Sequence, residues 1–314
     1  MKRFWTVLGV ILLVGVLAGA SCSVGVLVGA ALGGNAFSGI GRDTVAVVYV
    51  EGPIQSGEGS GLFASGGAYS DQIVRWLQRA ERDTTVKAVV LRVDSPGGGV
   101  TASDEIRNQV LKLKATKPVV ASMGSLAASG GYYVSAPATK IVTNETTLTG
   151  SIGVITIVPN LEGLMEKLGI GATVFASGPH KDETAGLRPL TDADRKILQD
   201  MVDEAFDRFV SIVSEGRAMS KEAVRKLADG RIYTGKQALE LGLADRAGDL
   251  PEAIRLAADL GGIRGEARVV RYRSGGFFSS ASSAVLDRLG LPLLPSLSGG
   301  SKAPFSVQYL YLVP

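Results

Sequence analysis

Cysteine and histidine are almost missing from this 314-residue chain, which has Cys22 and His180 and no other residue of either type. One cysteine excludes an intrachain disulfide, and the two residues together are too few for a cysteine/histidine zinc site. A charge imbalance is missing too. The 33 basic and 30 acidic residues leave a net charge of +3, with no basic field of the kind that binds nucleic acid. No Gly-Lys-Ser/Thr follows any glycine-rich turn, so a P-loop is excluded. The glycine spacing also fails the dinucleotide fingerprint. We therefore expect no metal, no cofactor and no nucleic-acid partner.

What the chain does have starts at its N-terminus. Lys2 and Arg3 precede residues 4–32, a stretch without a single charge and longer than the roughly 20 residues that span a bilayer. Basic residues before the run predict a cytoplasmic N-terminus and an extracytoplasmic domain after it. Small residues around Ala18, Gly19 and Ala20 also fit a cleaved signal peptide. The length of the run past Cys22 favours a retained single-pass anchor.

Past this run, strands alternate with helices. Residues 44–50 and 86–93 are β-branched and apolar; residues 70–82 and 101–114 carry helical periodicity, with Thr101 and Ser103 as candidate caps of the second. Residues 140–144 read as a further strand. Residues 191–216, 220–228 and 234–241 read as helices, the first with an apolar stripe through Ile197, Met201, Ala205, Phe209 and Ile212, widened by Leu198, Val202 and Phe206. Such alternation predicts a parallel α/β core with helices outside. Residues 55–69, rich in glycine and serine, read as a mobile loop. Beyond residue 273 the chain turns Ser/Gly/Pro-rich and reads as a flexible tail. The last ten residues are apolar enough to dock on a sheet edge or groove.

Two glycine-rich turns carry chemistry. The strand at 86–93 ends in Asp94-Ser95-Pro96-Gly97-Gly98-Gly99, which leaves backbone N–H groups uncovered. Fixed dipoles of that kind stabilise an oxyanion, and a plain strand-to-helix turn explains the glycines equally well. Asp94 is expected to brace this turn. After the apolar residues 118–121 comes Gly124-Ser125-Leu126-Ala127-Ala128-Ser129-Gly130-Gly131-Tyr132-Tyr133, which sets a serine among residues with almost no side chain. A strand entering such a turn can expose a nucleophilic hydroxyl to a substrate carbonyl.

A serine nucleophile needs a base, and either His180 or its neighbour Lys181 could supply it. Lysine serves only when its surroundings lower its pKa from about 10.4 toward neutrality, which an adjacent carboxylate would prevent. Asp182 is therefore expected to point away. The turn Ser177-Gly178-Pro179 before the pair also suits a solvated loop, so residue chemistry alone leaves the choice open.

Four motifs together resemble the signal peptide peptidase A family, the Ser-Lys peptidases of family S49, in the short single-repeat form. They are Ser-Pro-Gly-Gly-Gly at 95–99, Met-Gly-Ser-x-Ala-Ala-Ser-Gly-Gly-Tyr-Tyr at 123–133, Leu-Thr-Gly-Ser-Ile-Gly-Val at 148–154 and Ser-Gly-x-His-Lys-Asp at 177–182. The resemblance implies a ClpP/crotonase-like fold of repeated ββα units. It implies Ser129 as nucleophile, Lys181 as general base, Ser151 as hydrogen-bond support for the lysine amine, and the N–H groups of Gly98 and Gly130 as oxyanion hole. His180 becomes a bystander. The implied protein is an ATP-independent homo-oligomeric endopeptidase of the bacterial cytoplasmic membrane that degrades remnant signal peptides and other membrane or secreted polypeptides. Its parts would be an anchor and juncture at 1–40, a peptidase domain at 41–265 and a tail at 266–314. A non-catalytic scaffold of the same fold and a crotonase-like acyl-CoA enzyme are the competing readings.

Overall fold

Valine-rich strands stack at the centre of the molecule. The computed structural model describes residues 43–58 and 66–273, with the backbone alone of 308–310. The expected anchor, part of the expected loop at 55–69 and most of the expected tail lie outside the described residues. Among the described residues no helix is long and apolar enough to cross a membrane.

Strand β1 (Thr44–Glu51) leads through the short β2 (Ile54–Gln55) and β3 (Ala68–Tyr69) into helix α1 (Ser70–Arg82). Then come β4 (Val86–Ser95), β5 (Gly97–Gly99) and α2 (Val100–Lys114), followed by β6 (Val119–Ala128), α3 (Gly130–Ser135), β7 (Lys140–Thr143) and β8 (Leu148–Gly150). The rest comprises α4 (Glu162–Lys167), α5 (Asp192–Arg217), α6 (Lys221–Leu227), β9 (Ile232–Thr234), α7 (Gly235–Glu240), β10 (Arg246–Ala247), α8 (Leu250–Leu260), β11 (Arg268–Tyr272) and β12 (Gln308–Leu310).

The larger sheet runs β10-β7-β6-β4-β1-β11 with every neighbouring pair parallel, as the alternation of strands and helices predicts. Beyond the end of β7, β8 takes over as the parallel neighbour of β6, and β9 pairs antiparallel with β8. Alternation along β1 sends its side chains to two cores. Ala46, Val48 and Val50 meet Ile73, Leu77, Ile106 and Val110 of α1 and α2 on one face. Val45 and Val47 meet Ala253 and Ala257 of α8 on the other. A sheet covered on both faces reads as continuous apolar runs, as β1 and β4 do.

A second sheet, ordered β12-β5-β2-β3, lies at the carboxyl end of β4. In it Tyr309 pairs antiparallel with Gly98, so the backbone of 308–310 does dock on a sheet edge. Two expectations fail at α2. Its N-cap is Gly99, with no side-chain cap, and Ser103 is buried inside the helix. The extended backbone of β5 continues to the first helical residue, which leaves no room for a Thr101 or Ser103 cap. By contrast, Thr191 with Asp194 and Thr234 with Gln237 form capping boxes, and Ser220 caps α6.

Candidate active site

Ser129 stands where β6 stops and α3 starts, in a backbone conformation few side chains tolerate: φ is 54° and ψ −116°. Such a conformation costs about 1–3 kcal/mol and persists only where neighbours hold it. Here the Ser129 N–H donates to Gly150 O at 2.8 Å, and the Ser129 carbonyl accepts from the Tyr133 N–H at 2.8 Å. The helix behind it is anchored. Tyr132 Oη donates to Leu243 O at 2.9 Å, and Tyr133 Oη donates to Asp104 Oδ1 at 2.7 Å. Tyr133 also meets Phe209 edge-on, with ring centres 5.0 Å apart. Burial pushes the Tyr132 hydroxyl far above its ordinary pKa, so it stays a neutral donor.

The glycines around Ser129 are there because atoms crowd them. A Cβ on Gly130 would lie 3.1 Å from Gly98 N and 2.7 Å from Ser103 Oγ. One on Gly98, whose φ is +155°, would lie 2.0 Å from Ile54 O. The fold thus brings the two expected oxyanion glycines, Gly98 and Gly130, into contact beside Ser129. Ser95 holds the intervening turn, donating from Oγ to Gly52 O at 2.7 Å and accepting from the Gly97 N–H at 3.1 Å. Asp94, expected to brace this turn, instead reaches across to β6 and accepts from the Leu126 N–H at 3.1 Å.

The Ser129 and Ser103 hydroxyls are buried without a hydrogen-bond partner. Buried hydroxyls left unmet cost about 1–3 kcal/mol each, and such groups concentrate at catalytic sites or take an ordered water. Ser103 is a part of the site that sequence reasoning missed, because a serine near a helix start reads as a cap.

Ser151 follows Gly150, which pairs with Ala128, so Ser129 and Ser151 leave adjacent parallel strands side by side. Ser151 also has a positive φ, 47°, held by its N–H donating to Arg231 O at 2.8 Å. It is nearly buried and lines a cleft of about 420 Å³ with Val154, Ile155, Phe206 and Gly230.

Lys181 makes no hydrogen bond to Ser129 or Ser151 among the described residues. It lies on an exposed turn, and its amine makes no hydrogen bond or ion pair among the described residues. The segment between Ser151 and α5 exposes Ile157, Leu164, Leu168, Ile170 and Phe175, the last 94% accessible.

The residues flanking Lys181 are bound to one network. His180 Nδ1 lies 2.7 Å from Asp194 Oδ1, and Arg188 Nη1 donates to Asp194 Oδ2 at 2.7 Å. Arg188 also grips both oxygens of Asp182, at 3.0 and 2.8 Å. Its hydrogen bonds hold the Asp182 and Asp194 carboxyls below the usual carboxylate range, with His180 adding to the effect on Asp194. His180, Glu183 and Asp194 offer ligand atoms within 4.8 Å of one another. A guanidinium on Asp194 makes the cluster an ion-pair brace rather than a cation site. The Thr191-x-x-Asp194 spacing is the sequence signal that could have found Asp194; nothing comparable marks Arg188.

Residues 111–264 match the profile of peptidase family S49. Protease 4 of Haemophilus influenzae is 42% identical over 217 residues, 69% of this chain and 34% of its own length. Serine protease SPPA, chloroplastic, of Arabidopsis thaliana is 34% identical over 218 residues, 69% of this chain and 32% of its own. The chain spans about a third of these two relatives. The slr0021 protein of Synechocystis sp. is 40% identical over 244 residues, 74% of this chain and 86% of its own. Identity at that level along most of a relative's length, on a fold that presents a strained serine beside paired glycines, is that of a member: the chain belongs to peptidase family S49, as an SppA-type serine peptidase.

Proposed function

We propose that the chain is a membrane-anchored endopeptidase built on a ClpP/crotonase-like plan, with Ser129 as nucleophile and Lys181 as general base. The observation that carries this reading is the Ser129 hydroxyl, buried, unpartnered and held at positive φ beside Gly98 and Gly130. Lys181 as a free amine takes the Ser129 proton while the oxygen attacks a peptide carbonyl. The N–H groups of Gly98 and Gly130 receive the oxyanion, and Ser151 orients the amine. Protonated Lys181 then gives its proton to the leaving amine, and water hydrolyses the acyl-enzyme. The antiparallel pairing of 308–310 with β5 supports a groove that takes extended polypeptide by strand addition.

The exposed Lys181 and the apolar side chains that precede it support a homo-oligomer in which a second copy covers this segment and completes the dyad. Substrates are then remnant signal peptides and other membrane or secreted polypeptides. The N-terminal run anchors the chain in a bacterial cytoplasmic membrane, with the catalytic domain on the extracytoplasmic side.

The test uses the full chain in detergent micelles with dye-labelled casein, across pH 6–10. Ser129→Ala and Lys181→Ala should each lower kcat/KM by about 10³-fold or more, and His180→Ala should stay active. A second reading rests on the 2.7 Å contact of His180 with Asp194, the arrangement that orients a histidine base. It gains the case if His180→Ala is dead and Lys181→Ala active. Full activity in all three variants would move catalysis away from Ser129, Lys181 and His180.

A further inference from the structure

In the triplet His180-Lys181-Asp182 the two outer side chains are engaged and the middle one is bare. His180 is turned to Asp194, and Asp182 is gripped through both oxygens by Arg188. The same guanidinium reaches Asp194 Oδ2 at 2.7 Å, Pro189 O at 3.1 Å and Pro179 O at 3.3 Å. Asp194 is itself fixed: its side chain is 1% exposed, and it closes the capping box by accepting from the Thr191 N–H at 3.0 Å. One cation therefore ties the start of the turn, the carboxylate next to Lys181 and the first turn of α5 into a single unit.

The arrangement answers a difficulty in using Lys181 as a base. A free carboxylate beside the amine would stabilise its charged form, and an opposite charge within about 4–6 Å raises an amine's pKa by up to 1–3 units. The ionisable groups around the turn are His180, Asp182 and Glu183 on it, Arg188 on the strap after it, and Asp192 and Asp194 on the first turn of α5. On the serine's side the carboxylates are Asp94, bound to the Leu126 N–H, and Asp104, bound to Tyr133 and Arg208. Of the carboxylates among these, Asp182 is the one joined to Lys181 by a peptide bond. Arg188 is the cation that engages it.

Resting on the assignment of Lys181 as general base, we propose that Arg188 is a positioning residue with two effects. It neutralises Asp182, so that the lysine keeps an amine poised to lose its proton, and it pins the turn to α5, so that Lys181 is the side chain presented outward. It touches neither substrate nor reacting atoms.

A purely structural brace and a charge mask differ in what the pH profile does. With the full chain in micelles and dye-labelled casein, Arg188→Gln should move the rising limb of kcat/KM toward higher pH by about 0.5–1 unit. That is a roughly three- to tenfold loss at neutral pH, with most of the activity regained at pH 10. Arg188→Gln with Asp182→Asn should return the limb to its parental position. If Arg188→Gln does not fold by circular dichroism, Arg188→Met, which keeps the length without the charge, is judged by the same limb. An unmoved limb, or a shifted limb that Asp182→Asn fails to restore, overturns the inference while leaving the dyad intact. Parental activity in Lys181→Ala, run alongside, overturns the dyad and the inference with it.

Discussion

The serine half and the lysine half of the site are built in opposite ways. Ser129 and Ser151 leave adjacent strands of the larger sheet, and glycines too crowded for any side chain surround Ser129. Lys181 sits on a turn that follows a run of exposed Leu, Ile and Phe with little regular structure, and the Arg188 brace is its tie to α5. The lesson concerns assembly. A single chain finishes the half around Ser129, which is where backbone strain is stored. The half that carries the proposed base leaves Ile157, Leu164, Leu168, Ile170 and Phe175 exposed, and a cluster of exposed apolar side chains is a common mark of an interaction surface.

This contrast can be broken hardest at the glycines. Gly98→Ala places a methyl 2.0 Å from Ile54 O. It should cost at least about 100-fold in kcat/KM, as losing one oxyanion donor does. A melt within a few degrees of the parent would show that the loss is local, and near-parental activity would remove Gly98 from the site. Next comes the apolar run. Phe175→Asp with Ile157→Asp should convert an oligomer to monomer in sedimentation and abolish activity, while the fold by circular dichroism is kept. An active monomer would show that one chain completes its own dyad.

A smaller effect is expected at the tail. Removing residues 303–314 frees the edge of β5 and should lower KM a few-fold, because a groove that is competent more often binds more tightly. An unchanged KM would separate the tail from the groove. The smallest effect concerns pH. Burial alone would raise the Asp245 pKa, but Arg217, at 2.9 Å, and the Ile141 N–H, at 2.8 Å, outweigh it and bring the carboxyl below its usual value. A depressed carboxyl contributes stability that is complete above its unfolded pKa, near 3.9, and lost as pH falls through the folded value. Thermal stability should therefore drop below about pH 4, and Asp245→Asn should flatten that drop. An equally steep drop in the variant would assign the acid sensitivity to other carboxylates.

Much of the fold was legible from residue order. The limits of α1 were read to the residue, because Ile73, Leu77 and Ala80 mark one face and Asp71 the start. The strand at β1 and the helix at α5 were read to within a residue or two. The cap of α2 was misread, since Ser103 obeys local preference in type but is taken into the interior beside Gly130. The pairing of β12 with β5 was legible only as an apolar segment in need of an edge. The network around Arg188 was not legible, because its members lie six to fourteen positions apart on a turn with no periodicity.

The amino-acid sequence by itself determined the parallel α/β core, the two glycine-rich turns and the identity of the serine set at the end of β6. Apolar periodicity and the steric needs of glycine are local properties that any reader of the chain can count. Only the tertiary structure decided that Gly98 and Gly130 touch, that Ser103 lies beside them without a partner, and that Arg188 engages the carboxylate next to Lys181. Those are contacts between segments distant along the chain or irregular in conformation, and they exist only after the β-sheet has fixed where each turn emerges.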